Sequence, residues 1–145
     1  MNELKLVLED LTDLKDVQFL DHALHEFNSS QTGIDDARRL AIFVRDEGGQ
    51  IVAGLSGWTF YSCLAVDLLW VREDLRTQGF GGRLLRVAED EAMTRGCHQV
   101  QLDTFDFQAP EFYRKHGYEV FGVLDGFAGN HKRYYLRKYL NHERP

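Results

Sequence analysis

The stretch VREDLRTQGFGGRLLRVAEDEAM, Val71 to Met93, sets four arginines and three glycines where a helical apolar pattern begins. Gly81, Leu84, Leu85, Ala88 and Ala92 fall on one helical face, and Gly96 stands just past its end, where a C′ glycine belongs. The first turn of a helix carries unpaired N–H groups and about half a positive charge from the macrodipole. Glycines there let a ligand approach the backbone without meeting Cβ atoms. Arg76 before the turn and Arg83 after it can add bidentate, charge-assisted hydrogen bonds to phosphate oxygens. Such a turn is an anion site suited to a pyrophosphate. It is not a Walker A loop, because no Lys-Ser/Thr follows the glycines. It is not a dinucleotide fingerprint either, since the residue three after Gly81 is Leu84. A glycine turn beside a solvated arginine face fits the same letters, and these residues alone do not choose.

The flanks of the stretch carry the fold. AVDLLWV, Ala65–Val71, is apolar enough to be central in a sheet, and HQVQLDTF, His98–Phe105, reads as a second strand. Strand, long helix and strand make a βαβ unit, so the two strands are expected to be parallel neighbours with a right-handed crossover. Upstream, LAIFVRD, EGGQ and IVAGLSGWTFYSCL read as a hairpin turning at Gly48-Gly49. Downstream, APEFYRKHG is a short helix with Pro110 in its first turn and Gly117 at its end, followed by strands in YEVFGVL and KRYYLRKYL. Nearer the N-terminus, LKLVLED (Leu4–Asp10) alternates like a strand. After Thr12 as N-cap, Leu14, Val17, Leu20, Leu24 and Phe27 mark a helix that NSSQTG (Asn28–Gly33) ends. DDARRL, Asp35–Leu40, is expected to start a second helical turn. The expected class is α/β with mixed α+β order, in a single domain spanning residues 1–145.

At 145 residues the chain fits one domain able to bury ~68–70% of its unfolded surface. A net charge of −6 argues against a nucleic-acid binder and is compatible with a cationic small molecule or peptide as partner, although acidity for solubility is the plainer reading. Two cysteines, Cys63 and Cys97, make neither a disulfide framework nor a thiolate metal site. His22 and His25 share a helix face with no third ligand, and no metal is expected. GLSG is not GxSxG, so a serine hydrolase has no support. MNELKLVLEDLTDLKD lacks the basic and apolar regions of a signal peptide, and no apolar run approaches the ~20 residues of a membrane helix. A cytoplasmic location is the expectation.

R-x-x-G-x-G, Arg76 to Gly81, resembles the acyl-CoA pyrophosphate loop of the GNAT superfamily of N-acetyltransferases. The family's second signature, Tyr-x-x-x-Gly-aromatic, has its counterpart in APEFYRKHGYEV at Tyr113, Gly117 and Tyr118. Both motifs stand in the right order on the expected elements, and the resemblance runs from about Ile42 to Leu140. It implies a central, mostly antiparallel sheet with one parallel βαβ pair at the cofactor wedge. It also implies acetyl transfer from acetyl-CoA to an amine of a small molecule or peptide by direct attack, with no metal. In that reading the backbone of Leu69 and Val71 pairs with the pantetheine amides. The backbone of Gln78, Gly79, Phe80, Gly81 and Gly82, with the side chains of Arg76 and Arg83, holds the pyrophosphate. A homodimer would follow family habit. A fold relative that binds acyl-CoA as a sensor, without catalysis, would keep every one of these cofactor residues.

Two proton transfers frame the implied chemistry. A lysine-like amine, with a pKa near ~10.4, must lose a proton before it attacks. The departing thiolate then needs a proton or at least a hydrogen bond. Tyr113 matches the family's donor for the second task, and a packing role on the face of Ala109, Phe112 and His116 competes with it. Asp67 interrupts an apolar strand. It is a candidate to deprotonate the amine through a water or to bind its charge, against a solvent-facing carboxylate paired with an arginine. His131 is a candidate for the acceptor side, and Trp58, Phe60, Tyr61 and Phe127 for an apolar wall. One departure stands out. Asp106 occupies a position where the family often has Asn, and a carboxylate cannot donate an amide's hydrogen bonds to the cofactor arm.

Overall fold

Antiparallel strands need a turn that matches their twist. β1 (Arg38–Arg45) meets β2 (Ile51–Phe60) through one at the expected Gly48-Gly49. Gly49 takes φ +82°, its N–H bonds to the Asp46 carbonyl at 3.0 Å, and the Asp46 side chain accepts from Gln50 N–H at 3.0 Å. The computed structural model describes residues 2–140, and the chain divides after Asp35 into two compact units.

In the larger unit β1 begins where a helical turn was expected, because period-two burial wins there: Leu40 is buried and Ile42 and Val44 pack against the same core. A second correction concerns the arm read as one strand through Leu64. It folds back at Tyr61-Ser62, whose φ values of +48° and +61° suit a two-residue hairpin, and β3 starts at Cys63 and runs to Val71. Left-handed backbone costs a non-glycine residue ~1–3 kcal/mol, and no Gly or Asn signals the turn. His98 N–H bonds to Ser62 O at 2.8 Å, fastening this turn to the start of the next strand.

Beyond a 3-10 turn at Glu73–Leu75 come α2 (Phe80–Thr94), β4 (Gln99–Phe105), α3 (Pro110–Lys115), β5 (Glu119–Phe127) and β6 (His131–Tyr139). The strands lie in the order β1-β2-β3-β4-β6-β5, and only β3 and β4 are parallel, as the βαβ pattern required. α2 lays Leu84, Leu85, Ala88 and Ala92 across β1, β2 and β3. Leu55, Leu64, Leu85, Val100 and Leu136 are the largest fully buried side chains. Each contributes ~1.5–3 kcal/mol relative to exposure.

In the smaller unit, α1 (Leu14–Thr32) is capped by Asp13 rather than Thr12, the Asp13 side chain accepting from Lys15 N–H at 2.9 Å. The helix continues through Asn28–Thr32 before Gly33, at φ +71°, ends it. Ser30 and Thr32 hydroxyls donate to the carbonyls of Phe27 and Asn28 within the helix. Leu4–Asp10 is not a strand, and the described residues of this unit contain no second strand with which it could form a ladder.

Candidate functional site

β3 and β4 pair only from Cys63–Ala65 against Gln99–Gln101. Past that point β3 stays with β2 and β4 stays with β6, so a wedge opens between them. The β2–β3 register locates the cause. Ser56 lies opposite Leu68 and Gly57 opposite Val66, which makes Asp67 the extra residue of a β-bulge. A Cβ on Gly57 would collide with the Ala65 carbonyl oxygen, so only glycine permits this approach. The bulge also shifts the inward phase of β3, from Leu64 and Val66 to Leu69 and Val71.

Arg72 N–H bonds to Val52 O at 2.9 Å, so the N–H and C=O groups of Leu69 and Val71 point to the opposite edge, into the wedge. The Val71 carbonyl accepts from Arg76 Nε at 2.9 Å, which holds the Arg76 side chain at the mouth. In the loop that follows, Thr77 (φ +68°) and Gly79 (φ +84°) are left-handed and flank Gln78. Such alternation turns successive N–H groups toward a common point. Gly79 caps α2 with no side-chain hydrogen bond, and nothing lies within 4 Å of where its Cβ would be. The first N–H groups of α2 are thus left open to an anion. The Gln78 side chain is spent on Asp74 O and Arg72 on Asp74, whereas the Arg83 guanidinium lies 5.4 Å over the Phe80 ring, beside the loop.

Packing gives the other two glycines of the loop a reason of their own to be bare. A Cβ on Gly81 would come 2.9 Å from Phe112 Cζ, and one on Gly82 2.6 Å from His116 Nε2. They let α3 seat against α2. Tyr118 adds a lock to that seam, donating to buried Glu89 at 2.7 Å, while Lys138 Nζ donates to the other Glu89 oxygen at 2.9 Å.

Tyr113, on α3, is only 8% exposed and lines two cavities. The larger, about 490 Å³, runs from Leu69 and Val71 past Arg76, Phe80 and Gly81 to Phe107 and Phe112. The smaller, about 160 Å³, lies between Asp67 and Leu68 on β3 and Asp103 and Thr104 on β4. Tyr113, Leu69, Gln108 and Ala109 belong to both. Burial, and secondarily the Asp103 charge, push the Tyr113 phenol up to about 12, so it holds its proton at neutral pH.

Asp67 is not the buried carboxylate its strand suggested. As the bulged residue its side chain is 52% exposed, with Oδ2 3.8 Å from Arg39 Nη1. Asp106 is engaged elsewhere. Its Oδ2 accepts from Lys132 N–H at 3.0 Å and its Oδ1 lies 2.8 Å from His131 Nδ1. These contacts, the Lys132 N–H first, hold its carboxyl below the usual range. His131 is therefore drawn to Asp106, with its ring edge-on to Phe107. The larger cavity has aromatic walls in Trp70, Phe80, Phe107 and Phe112, and neither cavity is lined by Trp58, Phe60, Tyr61 or Phe127.

Sequence reasoning missed Gln108, whose side-chain carbonyl accepts from Phe105 N–H at 2.7 Å, and Asp103. The alternation in QVQLDTF, with Val100, Leu102 and Thr104 buried, was the available sign that Asp103 points off the core. Among the described residues no group of three His, Cys, Asp or Glu could hold a metal, and no helix is long and apolar enough to cross a membrane.

Comparison with known proteins agrees with this geometry. The family model described as the acetyltransferase (GNAT) family matches residues 4–118. An acetyltransferase of Agrobacterium fabrum is 32% identical over 135 residues, 93% of this chain and 98% of that protein. Blasticidin-S acetyltransferase of Streptomyces morookaense is 39% identical over 94 residues, 62% of this chain and 69% of that protein. The 1.9 Å crystal structure of an acetyltransferase from Bacillus cereus superposes with a TM-score of 0.77 at 32% identity, covering 92% of this chain and 97% of that one. The chain belongs to the GNAT acetyltransferase family and is an acetyl-CoA-dependent N-acetyltransferase.

Proposed function

We propose that the chain is one acetyltransferase domain that acetylates a small-molecule amine, with the cofactor in the larger cavity and the acceptor in the smaller. The meeting of the two cavities at Tyr113, with an open helix N-terminus at the far end of the larger one, carries this reading. Its small-molecule acceptor is in keeping with the blasticidin-S relative. The residues fit acetyl-CoA. The Gly79 turn and the first N–H groups of α2, with Arg76 and Arg83, would hold the pyrophosphate, and the unpaired edge at Leu69 and Val71 would hold the pantetheine amides.

Bound acetyl-CoA supplies the acetyl thioester that the amine attacks directly. Asp67, open to water, takes the proton that an ammonium must lose first, or holds that ammonium in place. Tyr113 donates toward the departing sulfur. A phenol at about 12 lies far enough above a thiol at ~8.5 that complete transfer would be uphill by about 5 kcal/mol. Tyr113 therefore acts foremost as a hydrogen-bond donor, and the thiol's proton comes finally from solvent.

Calorimetric titration with acetyl-CoA, with dephosphorylated pantetheine as control, tests the cofactor half. Binding that vanishes with the control is expected. Arg76→Ala is expected to weaken it by ~1.5–3 kcal/mol, the scale of a charged hydrogen bond. Unchanged affinity in that variant would remove Arg76 from the phosphate site.

A further inference from the structure

The two cavities that share Tyr113 have walls of opposite charge. The larger carries Arg76 and no carboxylate, and the smaller carries Asp67 and Asp103 and no basic side chain. Among the described residues the Tyr113 hydroxyl has no hydrogen-bond partner, and Tyr113 lines both cavities. The hydroxyl is open to the cavities it borders, so a ligand there can take its hydrogen bond.

Asp103 completes the pattern. Arg133, on the adjacent β6, directs both Nε (2.9 Å) and Nη2 (2.7 Å) at Asp103 Oδ1. One carboxylate oxygen is thus fixed by a two-pronged contact, and Oδ2 has no protein partner among the described residues. Across the wedge, Arg39 approaches Asp67 only to 3.8 Å, too long for a hydrogen bond. Each carboxylate borders the smaller cavity and has an arginine on its own side of the wedge, close at Asp103 and looser at Asp67.

We infer that Asp103 is a second acceptor-binding residue, and that the acceptor is a compact amine with two cationic nitrogens. One nitrogen meets Asp67 and is acetylated, and the other stays an ammonium on Asp103. This rests on the reading of the wedge given above. Only one nitrogen loses its proton and gains the acetyl group, so the second carboxylate is matched only by a cation that stays charged throughout. A monoamine would displace water from both carboxylates and pair with one, which costs affinity. A cavity of about 160 Å³ admits a short chain of carbons between the nitrogens, not a folded peptide.

The test is calorimetric, on the full chain saturated with CoA. Linear diamines from ethylenediamine to hexamethylenediamine are titrated against the monoamines of equal length. At least one diamine is expected to bind on the order of tenfold more tightly than its monoamine, as one charged hydrogen bond would give. Asp103→Asn should erase that preference while binding CoA as the wild type does, and Asp103→Glu should retain it. CoA binding with no diamine preference in the wild type overturns the inference, even where Asp103→Asn fails to fold, and so does a preference that survives Asp103→Asn. Failure of the wild type to bind CoA would instead overturn the cofactor reading beneath it.

Discussion

From Cys63 to Ala65, β3 pairs residue for residue with β4, and Leu64 and Val100 are wholly buried. From Val66 to Val71 the same strand pairs with no strand on that side, and the carboxylates across the gap, Asp67 and Asp103, are 52% and 37% exposed. Strand propensity does not separate the halves, because Leu68, Leu69, Trp70 and Val71 are as apolar as what precedes them. The separation is one surplus residue, Asp67, held opposite a glycine with no room for a methyl group. A site can thus be cut into a sheet by a fixed break in register, while the closed half supplies the rigidity that holds the open half apart.

The largest expected effect falls in the open half. Tyr113→Phe should lower kcat by ~10²–10³, the usual worth of one positioned hydrogen-bond donor to developing negative charge, with CoA affinity unchanged. Steady-state thiol release beside calorimetry checks both, and a Phe variant with full turnover would make Tyr113 a packing residue. The phenol's high pKa adds a pH signature. No alkaline fall in turnover should come from this residue until pH approaches about 12. For stability, a folded pKa above the unfolded value of ~10 means that the contribution is complete at lower pH and lost as pH rises toward about 12. In Tyr113→Phe that alkaline loss should be absent.

The next effect strikes the boundary between the halves. Gly57→Ala forces a Cβ against the Ala65 carbonyl, a backbone atom that cannot rotate away. Overpacking of this kind costs on the order of 3 kcal/mol, or about 10 °C in Tm for a domain of this size. If thermal melting shows Gly57→Ala to be neutral, the bulge does not depend on that close approach. Gly79→Ala makes the useful contrast, since it meets no atom and bears only the strain of φ +84°.

What the sequence disclosed follows the same division. The βαβ unit, the Gly48-Gly49 hairpin and both helix ends at Gly96 and Gly117 were legible because periodicity and glycine report local backbone. The Tyr61-Ser62 turn was hidden because its residues are atypical for left-handed backbone, and the first residues of β1, Arg38 and Arg39, because DDARRL reads as the start of a helical turn. The motif drew attention to Arg76, Gly79 and Tyr113, all three beside the wedge or its loop. The place of Asp103 and the packing against Gly81 and Gly82 were not legible, since each depends on a neighbour distant in the chain: Arg133, Phe112 and His116. The exposure of Asp67 was hidden similarly, because a bulge is a property of two strands.

The smallest expected effect concerns Asp106, which borders the open half without entering it. It lines neither cavity, and both of its oxygens are bonded toward β6. Asp106→Asn should therefore leave CoA affinity within about twofold, well under the worth of one hydrogen bond. The new amide can still accept from Lys132 N–H. Its NH₂ would then face His131 Nδ1, which must become the acceptor and carry its proton on Nε2. The carboxylate's own contribution to stability behaves oppositely to that of Tyr113. Because its pKa is depressed, that contribution is present above the unfolded value of ~3.9 and is lost as pH falls through the folded one. The Asn variant should lack this acid-side loss. A tenfold gain in CoA affinity would mean instead that an amide at this position swings into the wedge, and that the open half reaches one residue further along the chain than its lining now indicates.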